Sequence, residues 1–235
     1  MRKRKAPKQS LYKWRRVTGT AMNKKNSIPK RERILDAAEE LFAEHGYDGV
    51  TLRQIATTAG VDVALANYHF GKKLDLFQAV FNRRAELLNG ARREALHACQ
   101  VSSGKKGPSV EQIIEAFLRP LEITQETGDE GWRHYLALIA YINNSPYWGP
   151  RMMSSLFDEL VQEFIEALKK ALPKASEADI YWCYHNLSGA LTLTLANTGR
   201  IDKLSRGHCH SADFQAAYDH MIPFTAAGFR KICGG

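Results

Sequence analysis

From Val63 to Lys73 the chain reads VALANYHFGKK, a stretch whose side-chain types and spacing suit a planar, negatively charged partner. The amide of Asn67 sets a donor beside an acceptor, the pattern that pairs with N6 and N7 of adenine. Val63, Ala64 and Leu65 are small or apolar groups of the kind that meet thymine methyls. Tyr68, His69 and Lys73 bring a hydroxyl, an imidazole and an ammonium together, and such groups fix a protein on phosphates. Other chemistries have little to stand on. There is no GxSxG elbow, no GxxxxGK[ST] loop, no GxGxxG after a strand and no HExxH, and the Ser188-Gly189 step has no recognised partners. The expectation is therefore a chain that is not an enzyme, with a helical enzyme kept as the remote alternative. His208-Cys209-His210 holds metal-ligating types, but neighbouring positions converge poorly on one ion. A surface loop is expected there, and neither a metal nor a cofactor.

The candidate groups need a rigid mount, and the preceding residues spell one. A helix is expected from about Pro29 to His45, ended by Gly46, with Ile34, Ala38, Leu41 and Phe42 on one buried stripe. Thr51 followed by Gln54 reads as a capping box that starts a second helix, Leu52 to Ala59, with Ile55, Ala56 and Ala59 inward and Gly60 as its stop. Asp62 caps a third, from Val63 to about His69, before Gly71. So short a helix is stable only when packed, and Val61, Ala66 and Phe70 are the groups to pack it. Three helices with a tight turn between the second and third form the arrangement that lays one helix in a DNA major groove.

The run ILDAAEELFAEHGYDGVTLRQIATTAGV, followed by YHFGKK, resembles the N-terminal domain of the TetR family of one-component repressors, over about a fifth of the chain. The resemblance implies that Thr51 and Arg53 meet the DNA backbone, that Val63, Ala64, Leu65 and Asn67 face bases, and that Tyr68, His69 and Lys73 anchor phosphates. Three departures stand out: Lys72 where a small capping residue is common, Ala66 in place of the usual leucine, and Asn67 in place of a frequent aromatic. An operator sequence is therefore not transferable. On this reading Lys73→Ala lowers the salt slope of DNA binding by about one unit.

Charge is unevenly placed. The 235 residues carry a net +8, yet residues 1–33 hold 13 basic residues and one acid, leaving 20 basic and 24 acidic residues for the rest. Residues 1–28 read as a basic, disordered arm in which Tyr12 and Trp14 stand among the cations; such an arm raises non-specific DNA affinity. A solvated tail, or translation starting at Met22, is the alternative reading. No stretch is apolar enough for a signal peptide or membrane span. Cys99, Cys183, Cys209 and Cys233 lack CxxC spacing, as fits free thiols in a reducing cytoplasm.

The remainder reads as helical, so the fold expected is all-α: an arm over 1–28, a helix-turn-helix domain over 29–75, and a larger effector-binding and dimerisation domain over 76–235. A long helix from Lys73 to about Gln100 should bury Leu74, Phe77, Val80, Phe81, Leu87 and Leu88; Ser109 with Gln112 caps the next, and Pro120 interrupts it. Helices follow from about Trp132 to Ile142 after a Thr127-Gly128-Asp129 turn, Met152 to Leu172, Ser176 to about Thr198, and Asp213 to Lys231 with Pro223 inside. The last two carry Leu187, Ala190, Leu191, Thr194 and Leu195, and Phe214, Ala217, Tyr218, Met221, Phe224 and Phe229, more apolar residues than a single surface helix needs, so they are expected to form a homodimer interface. Phe117, Trp132, Tyr135, Ile139, Met152, Met153, Phe157 and Trp182, with Trp148 nearby, are candidates to line an apolar small-molecule pocket, or simply to fill the core. SGALTLTLANTG and MIPFTAAGFR are similar in character to C-terminal segments of fatty-acid-responsive TetR-type repressors, which implies a fatty acid or acyl-CoA effector. The function expected is a cytoplasmic, homodimeric regulator, a repressor of a palindromic double-stranded operator released by that effector. An architectural nucleic-acid binder without effector is the competing class.

Overall fold

The computed structural model describes residues 28–122, 129–147 and 149–234; the basic arm with Tyr12, Trp14 and Met22, the Thr127-Gly128 part of the expected turn, and Trp148 lie outside them. Every regular element among the described residues is helical. In chain order these are α1 (Lys30–His45), α2 (Leu52–Ala59), α3 (Val63–Phe70), α4 (Lys73–Ser103), α5 (Val110–Leu118), α6 (Glu130–Asn143), α7 (Gly149–Ala171), α8 (Glu177–Leu195), the short α9 (Arg200–Leu204) and α10 (Phe214–Cys233), with 3-10 turns at Gly104–Lys106 and Arg119–Glu122.

Local chemistry sets most of the boundaries. Thr51 Oγ1 accepts from the Gln54 amide at 3.2 Å while Gln54 Oε1 accepts from the Thr51 amide at 2.8 Å, completing the box at the start of α2. Ser109 and Gln112 repeat it at α5, and Asp62, Asp129, Ser176 and Asp213 cap α3, α6, α8 and α10. Gly60 ends α2 at φ 63°, ψ 43°, a left-handed conformation that a side chain opposes. The cap that Lys72 lacks is supplied from within α4, where Asp75 Oδ2 accepts from the Lys72 amide at 3.0 Å. Pro120 follows the end of α5 and opens into the 3-10 turn, since its missing N–H and its ring prevent α-helical continuation. The short α9 had no apolar period to reveal it.

Packing joins the small N-terminal helices to the rest. Phe42, Phe77 and Phe81 are fully buried, with Phe77 edge-on to both of the others at centroid separations of 4.9 and 5.4 Å. α1 packs against α2, α4 and α6, while α4, about 46 Å long at ~1.5 Å per residue, runs from the tip of α3 into the body beside α5 and α7. Leu87, expected inside, is 49% exposed: the buried register of α4 passes through Arg84 and Leu88 and leaves position 87 outside.

Helices α8 and α10 pack on one another within the chain, and this divides the residues expected at the interface. Leu187, Leu191, Leu195, Phe214, Tyr218 and Met221 are buried in the monomer, with Ala190, Thr194 and Ala217 half-buried beside them. Phe229 is buried as well, and of the expected residues Phe224 alone is largely exposed. Trp182 and Leu193 on α8, and Phe224 and Ile232 on α10, are 52–79% exposed.

Candidate nucleic-acid interface

The reading surface is the exposed side of α3 and its supports. α3 is short because Asp62 Oδ1 accepts from the Ala64 amide at 2.7 Å at one end and Gly71 stops it at the other. Ala66 and Phe70 pin it to α1, α2 and α4. Ala64, Asn67, Tyr68 and His69 then face solvent, and Tyr68 is 83% exposed, an unusual state for an aromatic ring. Its ring stands edge-on to His69 at 5.4 Å, so the two form one ledge at the C-terminal end of α3. Asn67 Nδ2 donates to the Val63 carbonyl one turn back at 3.1 Å, which holds the amide in one orientation on the helix surface. Val63 and Leu65 are half-buried, and Val63 packs against the core, so each offers only part of its side chain outward.

Of the expected backbone contacts, Arg53 is exposed on α2 with no ion pair among the described residues. The Thr51 hydroxyl is already engaged in both directions with Gln54. Lys73 departs from expectation. Its ammonium donates to the carbonyls of Tyr47 and Val50, both at 2.9 Å, and lies 4.1 Å from the centroid of the Tyr47 ring. It therefore ties the start of α4 to the turn between α1 and α2 instead of reaching outward. Replacing it by methionine is expected to lower stability by about 1–3 kcal/mol, because two half-buried carbonyls lose their donor. The salt slope of DNA binding should change by well under one unit; a full-unit drop in a titration against salt would put the ammonium back on a phosphate.

Sequence reading missed the second brace of this unit. Arg33 Nε donates to the Ala59 carbonyl at 3.0 Å and Nη2 to the Gly60 carbonyl at 2.8 Å, closing the C-terminal end of α2, where a cation is favoured by the helix dipole. No local motif encodes a contact between α1 and a carbonyl 26 residues away.

The expected effector residues divide. Phe117, Trp132, Tyr135, Ile139, Met152 and Phe157 are buried and Met153 is half-buried, and they pack as core: Trp132 lies edge-on to Tyr135 at 5.8 Å and Phe117 to Phe164 at 5.1 Å. Trp182 is 65% exposed, so it lines no interior pocket; its position on α8 faces away from the body. Two open surface grooves, one between α1 and α2 and one between α4 and α7, are lined by none of these eight residues. Among the described residues no group of three His, Cys, Asp or Glu is placed to hold a metal ion, and no helix is long and apolar enough to cross a membrane.

Comparison with known proteins agrees with this geometry. Residues 34–80 match the family model for bacterial regulatory proteins of the tetR family, and residues 115–228 match the model for the tetracyclin repressor-like C-terminal domain. The chain is 32% identical over 93 residues to the HTH-type transcriptional activator FasR of Mycolicibacterium smegmatis, covering 38% of this chain and 42% of that protein. It is 43% identical over 60 residues to the HTH-type transcriptional repressor BepR of Brucella suis, covering 26% and 29%. The chain thus spans less than half the length of these curated relatives. The fatty acid degradation regulator FadR of Bacillus halodurans superposes with a TM-score of 0.56 at 18% identity over 83% of this chain and 95% of that one, which shows a shared fold. With an exposed α3 held on a helix-turn-helix mount, and an N-terminal and a C-terminal segment both matched, this chain belongs to the TetR family of transcriptional regulators.

Proposed function

We propose that the protein is a homodimeric, ligand-released repressor that acts in the cytoplasm on a palindromic double-stranded operator. The observation that carries the DNA-reading part is α3 itself: one side buried through Ala66 and Phe70, the other presenting Asn67, Tyr68 and His69 to solvent. On this reading Ala64 and Asn67, with the outward parts of Val63 and Leu65, read base edges, while Arg53, Tyr68 and His69 hold phosphates. Two copies related by a two-fold axis set their α3 helices on half-sites about 34 Å apart. Residues 29–75 read the operator, and residues 76–235 sense an apolar small molecule, such as a fatty acid or acyl-CoA, and dimerise.

Release follows from α4, which is shared by both parts. An effector that enters between α5, α6 and α7 must displace packing around Phe117, Tyr135 and Phe157, and α4 lies against all three helices. Tenfold weakening of operator binding needs about 1.4 kcal/mol of coupling between the two sites.

The test is selection of bound duplexes from a random pool, followed by titration at matched salt. A palindromic site should emerge and bind at least about 1,000-fold tighter than random DNA. Asn67→Ala should change preference at one base pair per half-site by about 1–3 kcal/mol and leave the other positions unchanged. Equal affinity for selected and random duplexes would sink the operator-specific reading in favour of an architectural one.

A further inference from the structure

Arg92 is a cation in the wrong place for a purely structural residue. It sits on α4, 4% exposed, in the body of the protein, and none of the ion pairs among the described residues includes it. Nε donates to the Phe117 carbonyl at 2.9 Å, and the guanidinium lies 4.0 Å from the centroid of the Phe117 ring. That carbonyl is at the C-terminal end of α5, whose dipole offsets part of the burial cost. A guanidinium has five N–H donors, and among the described residues only Nε of this one has an acceptor.

Two further groups nearby are also unpaid in hydrogen bonds. Tyr135 on α6 and Tyr218 on α10 are fully buried, and their hydroxyls have no partner among the described residues. Each is close enough to Arg92 for the positive charge to act on its phenol, as is Tyr184 on α8. Burial pulls the guanidinium down to about 10, and the surrounding phenols only partly oppose this. Five helices therefore contribute to the surroundings of one buried cation and two idle O–H donors, and among the described residues no carboxylate pairs with Arg92. Native interiors rarely leave several polar groups so.

We propose that Arg92, with the hydroxyls of Tyr135 and Tyr218, is the receptor for the carboxylate of the effector, which is a hydrophobic monocarboxylic acid. A carboxylate matches the guanidinium fork in plane and accepts from both phenols. A single negative charge neutralises Arg92, whereas a phosphate dianion would leave a net charge buried, and a thioester or ester has no anion to give. The ligand's apolar part lies beside Phe117. This inference rests on the proposal that the C-terminal body binds an effector, and it narrows the class from any apolar molecule to the free acid.

The probes are sodium decanoate and sodium phenylacetate, each against its primary amide, titrated calorimetrically into the full-length protein without DNA at constant ionic strength. At least one acid should bind about 30-fold or more tightly than its amide, as expected for a charge-assisted bidentate pair away from water. Arg92→Gln should abolish that preference, and Tyr135→Phe should reduce acid affinity about five- to tenfold while leaving the amide unchanged; circular dichroism checks that both variants are folded. If Arg92→Gln does not fold, Tyr135→Phe and the acid–amide contrast on the native protein decide. Acids and amides binding alike, or neither acid binding, overturns the proposal. Operator affinity is read separately: an acid that binds through Arg92 without releasing operator leaves the anion site standing and refutes ligand release, whereas release by acids and amides alike does the reverse.

Discussion

Glu39→Ala is expected to destabilise the protein by about 3–5 kcal/mol, the range for removing one partner of a buried ion pair. The melting temperature should fall by roughly 10 °C, at about 2–4 °C per kcal/mol for a chain of this size. Glu39 on α1 is 1% exposed and is gripped from both sides: Arg84 Nε and Nη2 donate to its two oxygens at 2.8 and 2.9 Å, and Arg83 Nη2 donates at 2.7 Å. Arg84 reaches onward to Asp129 at 3.0 Å, the residue that caps α6, and its cation lies 4.8 Å from the Trp132 ring. Burial pulls the Arg84 guanidinium down, but its bonds to Glu39 and Asp129 more than reverse this and hold it above its ordinary value. Without Glu39 that cation stays between α1, α4 and α6 with only Asp129 to balance it.

The same contact explains Gly131, where a Cβ would overlap the Arg84 guanidinium and stand 2.7 Å from Glu39 Oε2. Gly131→Ala should also destabilise, though by less, because the long arginine can shift. The double variant Glu39→Met, Arg84→Met should recover a large part of the loss, since a well-packed apolar pair replaces a buried ionic one at little cost. Chemical denaturation of the three variants is the measurement; a change under about 1 kcal/mol for Glu39→Ala would mean that water reaches the pair. Because this network links α1 of the reading unit to α4 and α6, the variant retained in folded form should also show altered coupling between effector and operator.

The second large effect concerns assembly. On the proposed homodimeric reading, Phe224→Asp is expected to yield a monomer and to lower operator affinity by about 100-fold or more, the advantage lost when two linked half-sites bind separately. Phe224 is 79% exposed on α10, and Trp182 and Leu193 present a similar excess of apolar surface on α8. Between them lies Gly189, where a Cβ would meet nothing within 4 Å, so this part of the stripe leaves room for a second copy to approach closely. A carboxylate placed there would be desolvated on association. Leu187→Ala is the control. Leu187 is 3% exposed inside the chain, so its truncation should cost about 2–5 kcal/mol of stability and leave association unchanged. Sedimentation velocity separates the two; a Phe224→Asp protein that remains dimeric would move the interface elsewhere.

The contrast between Leu187 and Phe224 shows where sequence reading stops. Features governed by residues within one turn of each other were legible: the Thr51–Gln54 box, the Asp62 cap, the Gly60 and Gly71 stops, and hence the frame of the DNA-reading unit. Periodicity also located the long helices and the apolar stripes of α8 and α10. It did not say what each stripe faces, because a helix packed inside its own chain and a helix packed against a second copy show the same 3.6-residue period. Leu187, Leu191 and Tyr218 took the inner side, and Trp182 and Phe224 the outer.

Charged residues mark the other boundary. Arg84 and Arg92 share the buried register of Phe77, Phe81, Leu88 and Leu96 on α4, so the pattern held a signal that a cation lay inside. Their fates differ only through partners far along the chain. Arg84 meets Glu39 and Asp129, each 45 residues away, whereas Arg92 meets the Phe117 carbonyl and ring and, among the described residues, pairs with no carboxylate. By itself the sequence determined the helical class, the caps and the exposed recognition segment, because those follow from local hydrogen bonding and from the side on which apolar groups recur. Tertiary structure alone decided which cations are neutralised, which lysine is turned inward and which apolar face is left over, because electrostatics and burial depend on distance in space, and helix period carries no information about that distance.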